Sequence, residues 1–180
     1  MKSLNIGCGE EVFACCDTID INPNFEPTFC FDINDRRWPI HSNTYDMIYA
    51  HYILEHTYNL VKVMEEIYRI AKPNAIIHIK VPHYSGRGAW INPTHYRAFA
   101  LGQFDYFDKD IKEHYGNCNF KAMSKEIHII RQEVNHHPQV KALAKCLDKL
   151  FYRFPNISER ICCYWFGGFS EIEIELKVIK

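Results

Sequence analysis

The chain has 180 residues, 47% of them hydrophobic and 24% charged, and its formal net charge is −1. This composition is typical of a globular protein with one sizeable core. The near-neutral charge excludes a global attraction to nucleic acid or anionic membranes, so such binding would need a local patch. The sequence shows neither a bilayer-spanning apolar run nor a signal-peptide pattern, and a cytoplasmic location is expected.

The eight cysteines include no C-x-x-C pair. A structural zinc site therefore has little support, and most thiols are expected to be buried and reduced. No group of histidines and carboxylates has the sequence spacing of metal ligands, and the adjacent His136 and His137 are expected on a loop surface. We therefore predict no metal site.

The first half of the chain predicts four short strands. Residues 4–6 and 18–21 are apolar runs bounded by Gly, Asp, Asn and Pro, as in buried strands. Residues 28–35 form a third candidate, and a fourth strand is expected around residues 47–50.

The next segment predicts a helix followed by a strand. Thr57 or Asn59 can cap the helix, and Pro73 stops it. Residues 75–82 then form a continuous β-rich run. The apolar residues of the helix recur at helical spacing, at Leu60, Val63, Met64, Ile67 and Ile70.

The order strand, helix, strand favours an α/β fold with a mostly parallel sheet and helices on both faces. Residues 120–130 and 170–180 read as long strands, and the last strand is expected to be antiparallel. Between them, residues 132–169 are interpreted as a helical insertion. We predict a single domain over residues 1–180.

Residues that can contact a ligand fall at the ends of the four predicted strands. Ligands of open α/β sheets lie at these carboxyl ends. Glycines let the backbone approach a ligand, and one carboxylate can accept hydrogen bonds from two ribose hydroxyls. A Gly-x-Gly turn alone can be structural, but four matched strand ends favour an adenosine site. The residues are Gly7, Gly9, Asp20, Asp32, Ala50 and His51.

The first connection distinguishes among adenosine cofactors. A dinucleotide site needs a third glycine that opens a helix facing the pyrophosphate. Position 12 is Val, and residues 10–17 leave little room for such a helix. S-adenosylmethionine is an adenosine ligand without phosphate and needs no helix dipole.

Several blocks occur in the order seen in class I S-adenosylmethionine-dependent methyltransferases: "LNIGCG", "DTIDINP", "FDIND", "TYDMIYAHYILEH", "VMEEIYRIAKPNAIIHIKVPHYS" and "NPTHYRAFALGQFDYF". The chain resembles small methyltransferase-domain proteins of this family with a shortened first β-α connection. The resemblance extends to the final "SEIEIELKVIK". It implies a Rossmann-like methyltransferase fold and methyl transfer from S-adenosylmethionine to an unidentified acceptor, either a small molecule or a glycan- or lipid-linked metabolite.

The resemblance also implies roles for individual residues. The Gly7 to Gly9 turn would face the methionine part of the cofactor, Asp20 the ribose, and Asp32 the adenine. Asn74 replaces the family's common glycine after Lys-Pro, and asparagine can still form a left-handed turn. The implied cofactor-binding residues are Asn5, Gly7, Cys8, Gly9, Asp20, Ile21, Asp32, Ile33, Ala50 and His51.

Methyl transfer to oxygen or nitrogen is helped by a base that takes the acceptor's proton, and histidine suits this role. The candidates are His51, His83 and His95, with Tyr84 as a hydrogen-bonding partner. In the alternative reading, His51 bonds its own strand end and His95 anchors its own loop. His56 is interpreted as a structural residue near a helix start.

The insertion carries an apolar stripe at helical spacing and a row of basic residues on another face. One interpretation is a core-packed helix with a solvated basic face. The other is a docking surface, with weak membrane contact through residues 138–169, for a large anionic or amphiphilic acceptor. The apolar stripe comprises Val140, Leu143, Leu147, Leu150, Phe151 and Phe154, and the basic row Lys141, Lys145, Lys149 and Arg153.

Two other functions are weighed against the enzyme. A non-catalytic module that binds a ligand or regulates a partner would keep the fold, and the missing third glycine favours it. Nucleic-acid modification is disfavoured by the charge and by the lack of an Asn-Pro-Pro-Tyr type block after the fourth strand. The oligomeric state is left open by the sequence.

Overall fold

The computed structural model describes residues 1–11, 13–35, 37–130, 137–165 and 168–180. Seven strands form one sheet in the order β3-β2-β1-β4-β5-β7-β6. The strands are β1 (Ser3–Ile6), β2 (Cys16–Asp20), β3 (Phe29–Cys30), β4 (Tyr45–His51), β5 (Ala71–Pro82), β6 (Phe120–His128) and β7 (Glu171–Val178). The helices are α1 (Leu60–Ile70), α2 (Pro138–Arg153), α3 (Pro155–Ile157) and α4 (Cys163–Trp165), with a π-helical turn at Ser158–Cys162. Four 3-10 turns lie at Pro23–Phe25, Leu54–His56, Arg87–Ala89 and Gln103–Phe107.

The sheet is parallel from β3 to β5, and β7 is antiparallel to both of its neighbours. The predicted antiparallel last strand is therefore confirmed. Because β7 inserts between β5 and β6, the carboxyl ends of β1 to β6 meet at one edge, where ligands of such sheets bind.

The two faces of the sheet differ in polarity. Neighbouring strands place Ile6, Ala50 and Ile79 on one face, which we call the apolar face, and these residues are fully buried. The opposite face, the polar face, carries Tyr49 opposite His78. The β-rich run of β5 thus alternates between an apolar and a polar side.

Helix α1 covers the apolar face and begins where the sequence predicts. The Asn59 side chain accepts the N–H of Lys62 at 3.2 Å and caps the first turn. All five predicted apolar positions are buried, and Tyr68 packs edge-on against Phe120. After the helix, Asn74 has a φ of 64°, the left-handed conformation expected of it.

Two local expectations were wrong. Strand β3 contains Phe29–Cys30, not the whole predicted segment 28–35, because the Asp32 carboxylate accepts the N–H of Asn34 and holds the chain in a turn. Only three of the eight cysteines are buried, namely Cys8, Cys118 and Cys163. The other five are half-buried or exposed, and all eight are free thiols.

Helix α2 lies on the polar face, opposite α1, but buries only a narrow strip. Asp148 and Phe151 are buried, whereas Leu143 and Leu150 are 63% and 60% exposed. The core-packed interpretation of the stripe is therefore wrong for most of its members. Of the predicted insertion, residues 132–136, including His136, and residues 166 and 167 lie outside the described residues. Among the described helices, none is both long and apolar enough to cross a bilayer.

An ion pair fastens α2 to the sheet. His128 Nδ1 lies 3.1 Å from the Asp148 carboxylate, and the other Asp148 oxygen accepts the N–H of Ile129. Burial lowers the pKa of His128, but Asp148 and the neighbouring Glu173 and Glu171 outweigh it and raise the pKa to about 10. His128 is therefore a cation at neutral pH.

We expect this ion pair to make stability fall as the pH rises. A histidine whose folded pKa is raised contributes stability that is complete below its ordinary pKa of 6.5 and is lost as the pH passes about 10. The substitution His128→Gln should destabilise the fold by about 2–3 kcal/mol near pH 7 and less at pH 10. Urea denaturation across this range measures the difference from wild type. His114→Gln, whose ring bonds a backbone carbonyl, is the control, and a difference independent of pH would contradict the assignment.

Candidate cofactor and acceptor site

The turn after β1 is held against β2 by backbone hydrogen bonds. The N–H groups of Gly7 and Cys8 both donate to the carbonyl of Ile19, at 2.8 and 3.1 Å. Gly7 and Gly9 have φ angles of 68° and 49°, in the left-handed region that favours glycine. Of the described residues between Cys8 and β2, none is helical. Val12 lies outside the described residues.

The Asp20 carboxylate at the end of β2 fixes the same turn from the other side. One of its oxygens accepts the N–H of Gly9 at 2.8 Å, and the other accepts the N–H of Asn22 at 2.8 Å. Each carboxylate oxygen can accept more than one hydrogen bond, and the oxygen bonded to Gly9 also takes a long contact of 4.0 Å from the Cys8 thiol. Burial and the charge of Asp20 raise the pKa of the Cys8 thiol, which therefore stays protonated at neutral pH.

A first cavity of about 400 Å³ opens at this end of the strands. Its volume is in the range of about 300–1,000 Å³ typical of small-molecule sites. The sequence-predicted residues that line it are Gly7, Asp20, Ile21, Asp32 and Ile33. The structure thus brings together the residues predicted for the ribose and the adenine.

An aromatic pair at the first cavity was not predicted from the sequence. Tyr58 and Tyr96 line the cavity, with ring centroids 4.4 Å apart. The Tyr96 N–H donates to the carbonyl of Glu55, and the Arg97 guanidinium donates to the carbonyls of Thr57 and Tyr58. The feature of the sequence that could have indicated this loop is the aromatic and polar content of "NPTHYRAF".

A second cavity, also about 400 Å³, lies beside the first. Tyr52, Glu55, Asn92 and His95 line it, and His56 lines both cavities. The His56 and His95 rings meet edge to face with centroids 4.7 Å apart. Of the predicted catalytic residues, His95 thus lies at a cavity, while its Nδ1 also anchors the loop by bonding the Ala89 carbonyl.

The structure places His51 on the polar face. Its Nδ1 lies 3.2 Å from the Glu11 carboxylate, and its Nε2 lies 2.8 Å from Nδ1 of His78. His78 in turn contacts Glu173 at 2.8 Å. This arrangement agrees with the alternative in which His51 bonds residues around its strand end, and its catalytic role stays a prediction.

His83 and Tyr84 contact the insertion. His83 is fully buried and bonds Ser85 Oγ at 2.7 Å and the Glu159 carboxylate at 3.1 Å. The Tyr84 hydroxyl donates to the carbonyl of Glu159. Burial and the neighbouring Cys163 raise the pKa of Tyr84. These contacts fasten the insertion to the edge of the sheet, and a catalytic role for either residue stays a prediction.

The remaining predicted cofactor residues support the turn or the core. Ala50 belongs to the apolar core, and the Asn5 amide donates to the carbonyl of Glu11. Cys8 is 5% exposed, and Gly9 binds Asp20 through its backbone. Their direct contact with a cofactor stays a prediction.

Comparison with known proteins gives a family match and a set of similar folds. Residues 4–79 match the family model described as "Methyltransferase domain". No protein of curated function matches the chain. A S-adenosylmethionine-dependent methyltransferase from Archaeoglobus fulgidus has a TM-score of 0.58 and 15% identity, covering 98% of this chain and 85% of that one.

Two further structures show the breadth of the fold. A putative methyltransferase in complex with the Haloferax volcanii Trm112 methyltransferase activator has a TM-score of 0.60 and 11% identity, covering 98% of this chain and 81% of that one. The [4+2]-cyclase SpnF has a TM-score of 0.59 and 16% identity, covering 99% and 74%. The fold by itself therefore does not define the reaction.

The fold is that of the class I S-adenosylmethionine-dependent methyltransferases. The fold class predicted from the sequence is thereby confirmed, and the match of residues 4–79 to a methyltransferase-domain model agrees with the predicted resemblance.

We expect the two motif glycines to respond differently to substitution. A Cβ at Gly7 would lie 2.5 Å from side-chain atoms of Ile53, whereas a Cβ at Gly9 would meet no atom within 4 Å. Both substitutions incur the cost of a left-handed alanine, about 1–2 kcal/mol, but Gly7→Ala adds overpacking of about 1–3 kcal/mol. Chemical denaturation of Gly7→Ala and Gly9→Ala measures the difference, and equal losses would contradict the packing at Ile53.

Proposed function

We propose that the chain is a methyltransferase that binds S-adenosylmethionine with the adenosine part in the first cavity. The observation that carries the proposal is the Asp20 carboxylate, which two backbone N–H groups hold at a cavity also lined by Gly7 and Asp32. A carboxylate oriented in this way can accept both ribose hydroxyls.

The residues around the first cavity fit the cofactor. Ile21, 66% exposed at the cavity, offers an apolar surface to the adenosine. Tyr58 and Tyr96 can cover a planar base by stacking. The turn at Gly7 and Gly9 presents no side chain, so the cofactor can approach the backbone.

The second cavity is proposed as the acceptor site because it shares His56 with the first. When bound, S-adenosylmethionine supplies a methyl group on a positively charged sulfur. His56 and His95 are positioned to orient the acceptor, and alignment of acceptor and methyl group is a main source of rate in such a displacement. The acceptor is proposed to be a small molecule or a glycan- or lipid-linked metabolite.

A non-catalytic ligand-binding module is the alternative, because the third glycine of the cofactor motif is missing and the first connection is short. Both functions allow binding of S-adenosylmethionine. They differ in whether S-adenosylhomocysteine accumulates when cell extract supplies acceptors.

We expect Asp20→Asn to weaken S-adenosylmethionine binding by about 10–100-fold, because hydrogen bonds to a charged group contribute about 1.5–3 kcal/mol. Isothermal titration calorimetry measures the affinity, and thermal unfolding checks the fold. Asp46→Asn is a matched control, because Asp46 also accepts a backbone N–H, from Lys2 at 2.7 Å, outside the lining of the first cavity.

Two outcomes would contradict the cofactor assignment. One is a folded wild-type protein that binds no S-adenosylmethionine at millimolar concentration. The other is equal affinity in Asp20→Asn, Asp46→Asn and wild type.

The α2 region favours an amphiphilic acceptor held at an anionic lipid surface. Leu143 and Leu150 on α2 and Trp165 on α4 are 63%, 60% and 82% exposed. Lys145 and Lys149 are exposed on the same helix α2. Apolar and basic side chains together are the combination by which helices bind anionic bilayers, although the chain as a whole has a charge of only −1.

We expect charge reversal at Lys145 and Lys149 to reduce binding to vesicles that contain anionic lipid. Each basic residue near such a surface contributes about 1 kcal/mol, so the double variant should bind at least 10-fold more weakly. Vesicle co-sedimentation measures the binding. Reversal of the exposed Lys109 and Lys112, with the same change in net charge, is the control, and equal losses would contradict a specific surface on α2.

A further inference from the structure

Three potential metal ligands meet between the two cavities. Glu55, His56 and His95 each offer one ligand atom, and these atoms lie within 4.8 Å of one another. Glu55 is 1% exposed, while the two histidines are partly exposed. The sequence did not reveal this group of ligands, because His95 is distant along the chain from Glu55 and His56.

Both histidine rings are held by their Nδ1 atoms. His95 Nδ1 lies 3.2 Å from the Ala89 carbonyl, and His56 Nδ1 lies 3.2 Å from the Thr94 carbonyl. Because a carbonyl can only accept, Nδ1 carries the proton in each neutral ring and Nε2 keeps its lone pair. Metal-binding histidines almost always donate their other ring N–H to such a partner.

We propose that Glu55, His56 and His95 bind a single Zn²⁺ ion at the boundary of the two cavities. Two imidazoles and one carboxylate, with a fourth position left open, form a ligand set of catalytic zinc sites. Ligands about 2.0–2.1 Å from a tetrahedral ion are about 3.3 Å apart. Metal binding would therefore require the three side chains to bring their ligand atoms from within 4.8 Å to about 3.3 Å of one another, with Nε2 as the ligand atom of each histidine.

The open position gives the ion a role that rests on the proposed function. An acceptor hydroxyl bound there from the second cavity has a lowered pKa and releases its proton to water. Its oxygen then forms a bond to the methyl carbon while the carbon–sulfur bond breaks, and that electron pair stays on sulfur. The site thus selects acceptors that present an oxygen ligand.

The test is metal binding by the full chain without cofactor. The protein is first stripped with a chelator and kept reduced. Zn²⁺ affinity is then measured by competition with a chromophoric chelator, and Co²⁺ substitution reports the geometry through its visible absorption. His95→Asn removes the Nε2 ligand but keeps an amide that can donate to the Ala89 carbonyl, and His56→Ala removes the second ligand.

We expect one Zn²⁺ per chain, at least 10-fold weaker binding in either variant, and a four- or five-coordinate Co²⁺ spectrum that both variants lose. The exposed His41→Ala is the control. Retention of wild-type affinity and spectrum in the double variant His56→Ala, His95→Asn would assign the metal to the thiols and overturn the site, as would the absence of stoichiometric binding. Zinc binding without any S-adenosylmethionine binding would instead sustain the metal site and refute the proposed function.

Discussion

The short connection between β1 and β2 is the constraint on which the site depends. Residues 7–15 leave no length for the helix that usually follows the first strand, so the turn has to be held by β2 itself. The Ile19 carbonyl accepts two N–H groups of the turn, and the Asp20 carboxylate accepts a third. Because the same carboxylate lines the first cavity, the hydrogen bonds that fold the turn also orient the carboxylate that is proposed to bind the ribose.

The missing helix also explains the chemistry of the polar face. Without a helix, the connection packs Phe13 against Tyr49, with centroids 4.6 Å apart, and Glu11 against His51. Hydrogen bonds continue from His51 through His78 to Glu173. A buried polar group is costly unless it is paired, and this run of partners pairs the polar side chains of β4 and β5 on the polar face. Glu173 accordingly has a lowered pKa, because His128, 3.7 Å away, and the hydrogen-bonded His78 favour its charged form.

The sequence predicted what depends on local pattern and on strand ends. Helix α1 follows from its spacing and cap, and Asp20 meets Asp32 in one cavity because parallel strands end at one edge. The contact between His83 and Glu159 could not be predicted, because Glu159 comes from the distant insertion. The exposure of most of the apolar stripe of α2 could not be predicted either, because helical spacing defines an apolar face but not whether another element packs against it. His56 and His95 meet only because the loop that carries Thr94 folds back onto the turn after β4.

That loop links the two halves of the proposed active site. Thr94 holds the His56 ring, His95 lines the second cavity, and Tyr96 lines the first. Glu55 ties the loop down through its backbone carbonyl, which accepts the N–H of Tyr96. This short segment therefore contributes residues to the first cavity, proposed for the cofactor, and to the second cavity, proposed for the acceptor. Asp20 lies on a separate element. Changes in this loop can alter the acceptor without disturbing the hydrogen bonds that orient Asp20, which is how a shared fold can serve different reactions.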